Sequence, residues 1–229
     1  GDSFTPKMLR DVATSPDGKT VVFHAVGHLW KRALPSGAIT RLTGESVAFE
    51  YQPHFSRDGR KLLYTAWSDK NQGSIREIDL AGGGIRTLSD EPGFYYQPKW
   101  SPDGKYIVAS KGGFRGGLPT MWMYHADGGN GMSLYTAPAN AAPGTAVQQA
   151  GAAFSADGKS IWYTQRNGAW NYNAQFPQYQ IYVYNRDTGE REAQSSRYGS
   201  AVRPTLSPDG KWLVYGSRYE EKTGLRVSE

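Results

Sequence analysis

Five times the chain spells Ser-x-Asp-Gly: Ser15-Pro16-Asp17-Gly18, Ser56-Arg57-Asp58-Gly59, Ser101-Pro102-Asp103-Gly104, Ser155-Ala156-Asp157-Gly158 and Ser207-Pro208-Asp209-Gly210. The intervals are 41, 45, 54 and 52 residues. Asp-Gly is tight-turn chemistry: Gly accepts positive φ, and Asp hydrogen-bonds its own neighbouring backbone. A short strand ends just before each turn, at Phe55, Trp100, Phe154 or Leu206 in the later copies, and a β-rich run follows, as in "RKLLYTAW" and "KYIVASK". A third strand comes next ("HLWKRAL", "SIREIDL", "TMWMYHA", "QIYVYNR", "GLRVSE"), then a second Gly turn and a short polar fourth strand. Strand chemistry repeating every 40–50 residues specifies a β-propeller.

The expectation is therefore an all-β propeller of four-stranded antiparallel blades, four complete and a fifth partial. We read residues 1–229 as one propeller domain, with blades starting near residues 10, 51, 96, 150 and 202. Two routes would complete the fifth blade: the N-terminal segment "SFTPKML" adds its outer strand, or the chain is a fragment of a larger propeller. A blade left open exposes an edge and an inter-blade face, which opens a route to self-association. No helix is expected. The run "PANAAPGTAVQQAGAA" (138–153) carries two Pro and two Gly and reads as loop.

Composition agrees with strands, since 13% of the residues are aromatic. No stretch approaches the roughly 18 apolar residues of a membrane helix, so no membrane insertion is expected. No charged segment followed by an apolar core is read as a signal peptide. With no Cys, disulfides and thiolate metal sites are excluded. The net charge of +5 is scattered rather than clustered, so nucleic acid is not the expected partner.

Antiparallel topology puts the Ser-x-Asp-Gly turns and the second Gly turns on one face, and the longer, irregular loops on the other. Loops of the second kind usually carry binding residues. Three groups stand out there: "KGGFRGGLP" with Arg115, "RNGAWNYNAQFPQY" with Trp170 and Tyr172, and the blade-to-blade segments "EYQP", "YYQP" and "AVRP". Aligned on the Ser, Gln52, Gln97 and Arg203 share one position, with Asp11 and Gly151 in the other two copies. Together with Tyr51 and Tyr96 they form a candidate binding set at the mouth of the central channel. Two readings stay open. The amides and the Arg grip a peptide or a carboxylate, or they cap buried loop backbone.

Catalytic patterns are missing. His24 and His28 have a helical zinc spacing but sit on a strand–turn–strand segment without a general-base Glu. There is no nucleophile elbow, no P-loop and no calcium-loop spacing. Five Asp residues at one repeat position are architectural. No catalytic residue, metal or cofactor is expected, and the chain is not expected to be an enzyme by itself.

The phrases "WSPDGKYIVAS", "FSRDGRKLLYTAW" and "LSPDGKWLVYGS" resemble the WD40-like repeat of the TolB propeller family over essentially the whole chain. "YQPHFSRDGRKLLYTA", "NYNAQFPQYQIYVYNRDTGE" and "GSAVRPTLSPDGKWLVYGSR" are similar to the propeller ahead of the catalytic barrel in secreted amidohydrolase-family proteins. The expectation from the loops is a non-catalytic module that binds protein or peptide on its long-loop face; the resemblance implies an accessory or scaffolding propeller, periplasmic or secreted, with more blades than this chain encodes. A neighbouring implication is an accessory or substrate-gating domain of a metal-dependent amidohydrolase or peptidase. That family's metal ligands would lie beyond residue 229.

Overall fold

In the computed structural model, residues 8–44, 48–112, 118–135, 147–167, 178–195, 200–207, 209–217 and 226–228 are described. They form five antiparallel sheets. The first contains β1 (Arg10–Thr14), β2 (Thr20–Ala25), β3 (His28–Ala33) and β4 (Ile39–Arg41). The second contains β5 (Phe49–Phe55), β6 (Lys61–Ser68), β7 (Gln72–Asp79) and β8 (Ile85–Thr87). The third contains β9 (Phe94–Trp100), β10 (Tyr106–Gly112), β11 (Thr120–His125) and β12 (Met132–Ser133). The fourth contains β13 (Gln148–Phe154), β14 (Ser160–Asn167), β15 (Gln178–Asn185) and β16 (Arg191–Ala193). The fifth contains β17 (Val202–Leu206), β18 (Leu213–Gly216) and β19 (Arg226–Ser228). Strands follow sheet order throughout, so the fold is four complete propeller blades and a partial fifth.

The Ser-x-Asp-Gly turn is the same device in every blade. In the third, Gly104 N–H donates to Ser101 O at 2.9 Å and Gly104 takes φ 70°. Asp103 Oδ1 accepts from Ser101 Oγ at 2.6 Å and from Lys105 N at 3.0 Å, while Ser101 Oγ accepts from Tyr106 N at 2.9 Å. The hydroxyl and the next backbone N–H hold the carboxyls of Asp17, Asp58, Asp103, Asp157 and Asp209 below the usual carboxylate range. Ser, Asp and Gly thus each do one fixed job, which is why they recur while the second residue of the turn varies.

The core lies in the seams between blades. One cluster joins Val22 and Leu29 of the first blade to Phe55, Leu62 and Tyr64 of the second. The next joins Leu63, Ile75 and Leu88 to Trp100, Ile107 and Tyr124. A third packs Val108 and Met121 against Ile161 and Tyr163, and a fourth packs Ile181 against Leu213. Each large apolar side chain fully buried in such a seam stabilises by about 1.5–3 kcal/mol. The inner strands touch in sequence, β1 to β5 to β9 to β13 to β17, and no contact joins β17 back to β1 among the described strands. Among the described residues the ring is open there. The N-terminal segment proposed for the fifth blade lies largely in residues 1–7, outside the described residues.

In each of the four complete blades the third strand has one N–H that the short fourth strand leaves unpaired, and a side chain meets it. Leu29 N donates to Glu50 Oε2 at 3.0 Å, Ile75 N to Ser89 Oγ at 3.0 Å, Met121 N to Gln149 Oε1 at 3.0 Å and Ile181 N to Ser195 Oγ at 2.9 Å. These acceptors complete the backbone pairing that a buried sheet requires.

Two local expectations change. The C-terminal half of the 138–153 run is strand β13, because its Gly151 occupies a bulge rather than ending the strand. The "YQP" and "VRP" segments lie within β5, β9 and β17 instead of in the loops before them. The cause is again the bulge, which spares Pro from the ladder hydrogen bond it cannot make.

Candidate functional site: the channel mouth

All five inner strands carry the same bulge. Between two paired positions, two residues of the inner strand oppose one of its neighbour: Arg10 and Ala13 pair with His24 and Val22, Tyr51 and His54 with Thr65 and Leu63, Tyr96 and Lys99 with Ser110 and Val108. Ala150 to Ala153 and Val202 to Thr205 repeat the pattern. The second residue of each bulge is left-handed: Asp11 (φ 49°), Gln52 (55°), Gln97 (52°), Gly151 (68°) and Arg203 (56°). Four of the five are not glycine, and such a backbone costs about 1–3 kcal/mol at a side-chain-bearing residue unless its surroundings enforce it.

Here the surroundings do enforce it, through a relay around the channel. Gln52 N–H donates to Asp11 Oδ2 at 3.3 Å. Gln97 N–H donates to Gln52 Oε1 at 2.8 Å, and Gly151 N–H to Gln97 Oε1 at 2.8 Å. Gly151 has no side chain to continue the chain of bonds, and Thr164 Oγ1 of β14 replaces it, accepting from Arg203 N–H at 2.9 Å. The left-handed turn aims each N–H sideways at the preceding blade. Both glutamine carbonyl oxygens are thereby committed to joining blades. Their amide NH2 groups and the Arg203 guanidinium have no described partner in this ring, and neither has Asp11 Oδ1.

The relay surrounds a central cavity of about 480 Å³ lined by residues of all five inner strands. Its titratable lining is Asp11, His54, Lys99 and Arg203. His54 and Lys99 occupy the same repeat position, two residues before the Ser, where the other blades carry Ala13, Ala153 and Thr205. Trp100 N–H donates to His54 Nδ1 at 3.3 Å, which assigns the proton to Nε2. Burial, reinforced by the Lys99 charge, pushes the His54 imidazole down to about 3. Burial also holds the Lys99 ammonium below its usual range.

A second cavity of about 390 Å³ opens beside the mouth on the long-loop face, between the second and third blades. Its walls are Tyr51, Trp67, Phe94, Tyr95 and Tyr96, with Gln52 and Asp11 on the channel side and Gly73 at the back. The Trp67 and Phe94 rings stack at 4.8 Å with an interplanar angle of 9°. Tyr51 lies 4.8 Å from His24, ring to ring, and burial raises its phenol. Tyr96 is 39% exposed, so an aromatic face is left open at the rim.

Of the residues expected from sequence, the aromatic cavity brings together Tyr51, Gln52 and Tyr96, while Gln52, Gln97 and Arg203 line the channel. Arg115, Trp170 and Tyr172 lie outside the described residues. Trp67, Phe94, His54 and Lys99 are additions from the structure. The repeat alignment carries a signal for the last two, because each is a bulky, basic departure in a column of small residues.

The His54 environment has a measurable consequence. A folded-state value below the unfolded 6.5 means that the unfolded chain takes up a proton first, so stability is lost as pH falls below about 6.5 and is full above it. Between pH 7 and pH 5 the loss from this one group is about 2 kcal/mol. Urea unfolding across that range is expected to show a drop in midpoint for the wild type and a flatter profile for His54→Gln; equal slopes would assign the pH dependence elsewhere.

No family model matches the chain. The uncharacterized peptidase YuxL of Bacillus subtilis is 26% identical over 189 residues, which is 78% of this chain and 24% of YuxL. The Tol-Pal system protein TolB of Rickettsia massiliae is 30% identical over 74 residues, 32% of this chain and 17% of TolB. The chain thus spans a quarter or less of these curated relatives. Among solved structures, TolB from Acinetobacter baumannii superposes with a TM-score of 0.71 at 22% identity, covering 96% of this chain and 51% of TolB. A putative TolB from Agrobacterium tumefaciens gives 0.73 at 20% identity, over 97% and 76%. The fold is that of a TolB-like β-propeller.

Proposed function

We propose that this TolB-like propeller is a non-catalytic binding module that takes up a peptide or an extended protein segment on its long-loop face. One observation carries the reading: the cavity walled by Tyr51, Trp67, Phe94 and Tyr96 opens on that face directly beside the channel mouth. Aromatic walls that offer large contact area with few rotatable bonds suit the anchor side chain of a peptide. Amide NH2 groups of Gln52 and Gln97 lie along the next stretch of the path and suit its backbone carbonyls. The likeness to Tol-Pal TolB supports a protein partner, and resemblance to exported propellers supports a periplasmic or secreted setting.

The test is selection of peptides from a displayed random library, followed by affinity measurement on variants. Tyr96→Ala, at a half-open rim position, is expected to weaken the selected peptides about tenfold or more while leaving the melting temperature nearly unchanged. Lys105→Ala, on the opposite turn face, is expected to have no effect. Peptides that bind Tyr96→Ala and wild type equally, or that lose affinity to Lys105→Ala, would overturn the reading.

A further inference from the structure

We propose that the central channel binds a carboxylate, held by Lys99, His54 and Arg203. Within the peptide-binding reading, on which this rests, the group is an acidic side chain or the C-terminal carboxylate of a segment reaching inward from the aromatic cavity.

The geometry starts with Lys99. It lies on the inner strand β9 and lines the channel, and among the described residues its ammonium has neither a carboxylate nor a hydrogen-bond acceptor. A largely buried ammonium is rarely left unpaired, because desolvation disfavours the charge unless an anion or several acceptors replace water. The same interior that burdens the free side chain strengthens its attraction to an anion entering the channel.

His54 supplies a second donor from the adjacent blade. Its Nδ1 is occupied by the Trp100 N–H at 3.3 Å, so Nε2 carries the proton and has no described acceptor within the protein. Arg203 lines the same cavity, and only its backbone N–H is committed, to Thr164. Its guanidinium offers the paired donors that a carboxylate accepts well.

Charge narrows the class of anion. The channel lining carries Lys99 and Arg203 against one carboxylate, Asp11, with His54 neutral at physiological pH. One net positive charge matches a monovalent carboxylate better than a dianionic phosphate. Asp11 accepts the Gln52 N–H through Oδ2 at 3.3 Å, and among the described residues it forms no ion pair with Lys99 or Arg203. The cavity of about 480 Å³ has ample room for a carboxylate and its hydration water.

The probe is acetate, compared with acetamide, chloride and inorganic phosphate, on the full chain at constant ionic strength. Binding is followed through the His54 imidazole resonances and the thermal midpoint. Acetate is expected to shift the His54 signals saturably and to raise the midpoint; acetamide and chloride are expected to do neither. In Lys99→Met the acetate affinity is expected to fall about tenfold, and in Lys99→Arg to be largely restored. Lys99→Met removes an unpaired buried charge, so it is expected to remain folded, and the midpoint checks this directly. An acetate response that Lys99→Met does not change, a response shared with acetamide, or no response at all overturns the proposal. Tighter binding of phosphate than of acetate overturns the choice of carboxylate. Tyr96→Ala is expected to leave the acetate response intact, so failure here with selected peptides still bound at the aromatic cavity sinks this inference and leaves the peptide-binding reading standing.

Discussion

Replacing Glu50 with Ala is expected to lower stability by about 3–5 kcal/mol, which for a chain of this size is a fall in melting temperature on the order of 10 °C. Glu50 is a carboxylate with 0% exposure, at the seam between the first two blades. Its Oε2 accepts the otherwise unpaired Leu29 N–H at 3.0 Å, and its Oε1 accepts from the Thr43 hydroxyl. His28 Nδ1 lies 3.8 Å from Oε2, but the Arg41 guanidinium donates to that nitrogen at 2.9 Å, so the contact is not an ion pair with Glu50. Truncation to Ala orphans a buried N–H and a buried hydroxyl and leaves a void between blades, and these costs combine. Glu50→Gln keeps an acceptor in place and should recover most of the loss. The other three complete blades meet the same backbone N–H with Ser89, Gln149 and Ser195. Equal, small losses for Glu50→Ala and Glu50→Gln in urea unfolding would show that the buried carboxylate is not the seam's anchor.

Gly73→Ala is expected to be comparably damaging, at about 3 kcal/mol or more, and to abolish peptide binding as well. Gly73 is the second residue of β7 and lines the aromatic cavity, and a Cβ there would lie 2.0 Å from Gly93 O and 3.3 Å from the Trp67 ring. The neighbour in the way is backbone, held by the Gly93 N–H to Gly73 O bond at 3.3 Å, so it cannot step aside as a flexible side chain would. Relief requires β7 and the start of β9 to separate, which pulls Phe94 away from Trp67. Calorimetry and peptide affinity measured together check this. A Gly73→Ala protein with wild-type stability and binding would mean that the two blades are not in the close contact described.

The blade plan was legible because its determinants are local. Ser-x-Asp-Gly forms its turn from hydrogen bonds within six residues, so each copy announces itself without reference to the rest of the chain. The channel mouth depends on contacts between residues 39 to 54 positions apart, and those leave a fainter trace. Gln52 and Gln97 drew attention as a ring of equivalent amides, yet their carbonyl oxygens serve the neighbouring blade's backbone. Of the two readings open at sequence level, backbone capping describes those oxygens, while the NH2 groups and Arg203 remain available to a ligand. The Pro that follows in three of the blades is a signal for the bulge that the sequence reading leaves unused, since Pro inside an inner strand needs one. Trp67 and Phe94 each read in the sequence as an ordinary strand-end aromatic; only the seam between blades places them face to face. In the sequence Lys99 reads as one more scattered charge; its burial, and the lack of a partner among the described residues, single it out.

Hydrogen exchange with and without a library-selected peptide tests the central claim most directly, because it reports where on the propeller a ligand sits. Binding at the long-loop face is expected to slow exchange in residues 49–52, 65–73 and 94–97, which border the aromatic cavity and channel mouth. The Ser-x-Asp-Gly turns at 15–20, 56–61 and 101–106 are expected to exchange as before. Protection confined to those turns, with none at the cavity, would contradict the assignment of the binding face.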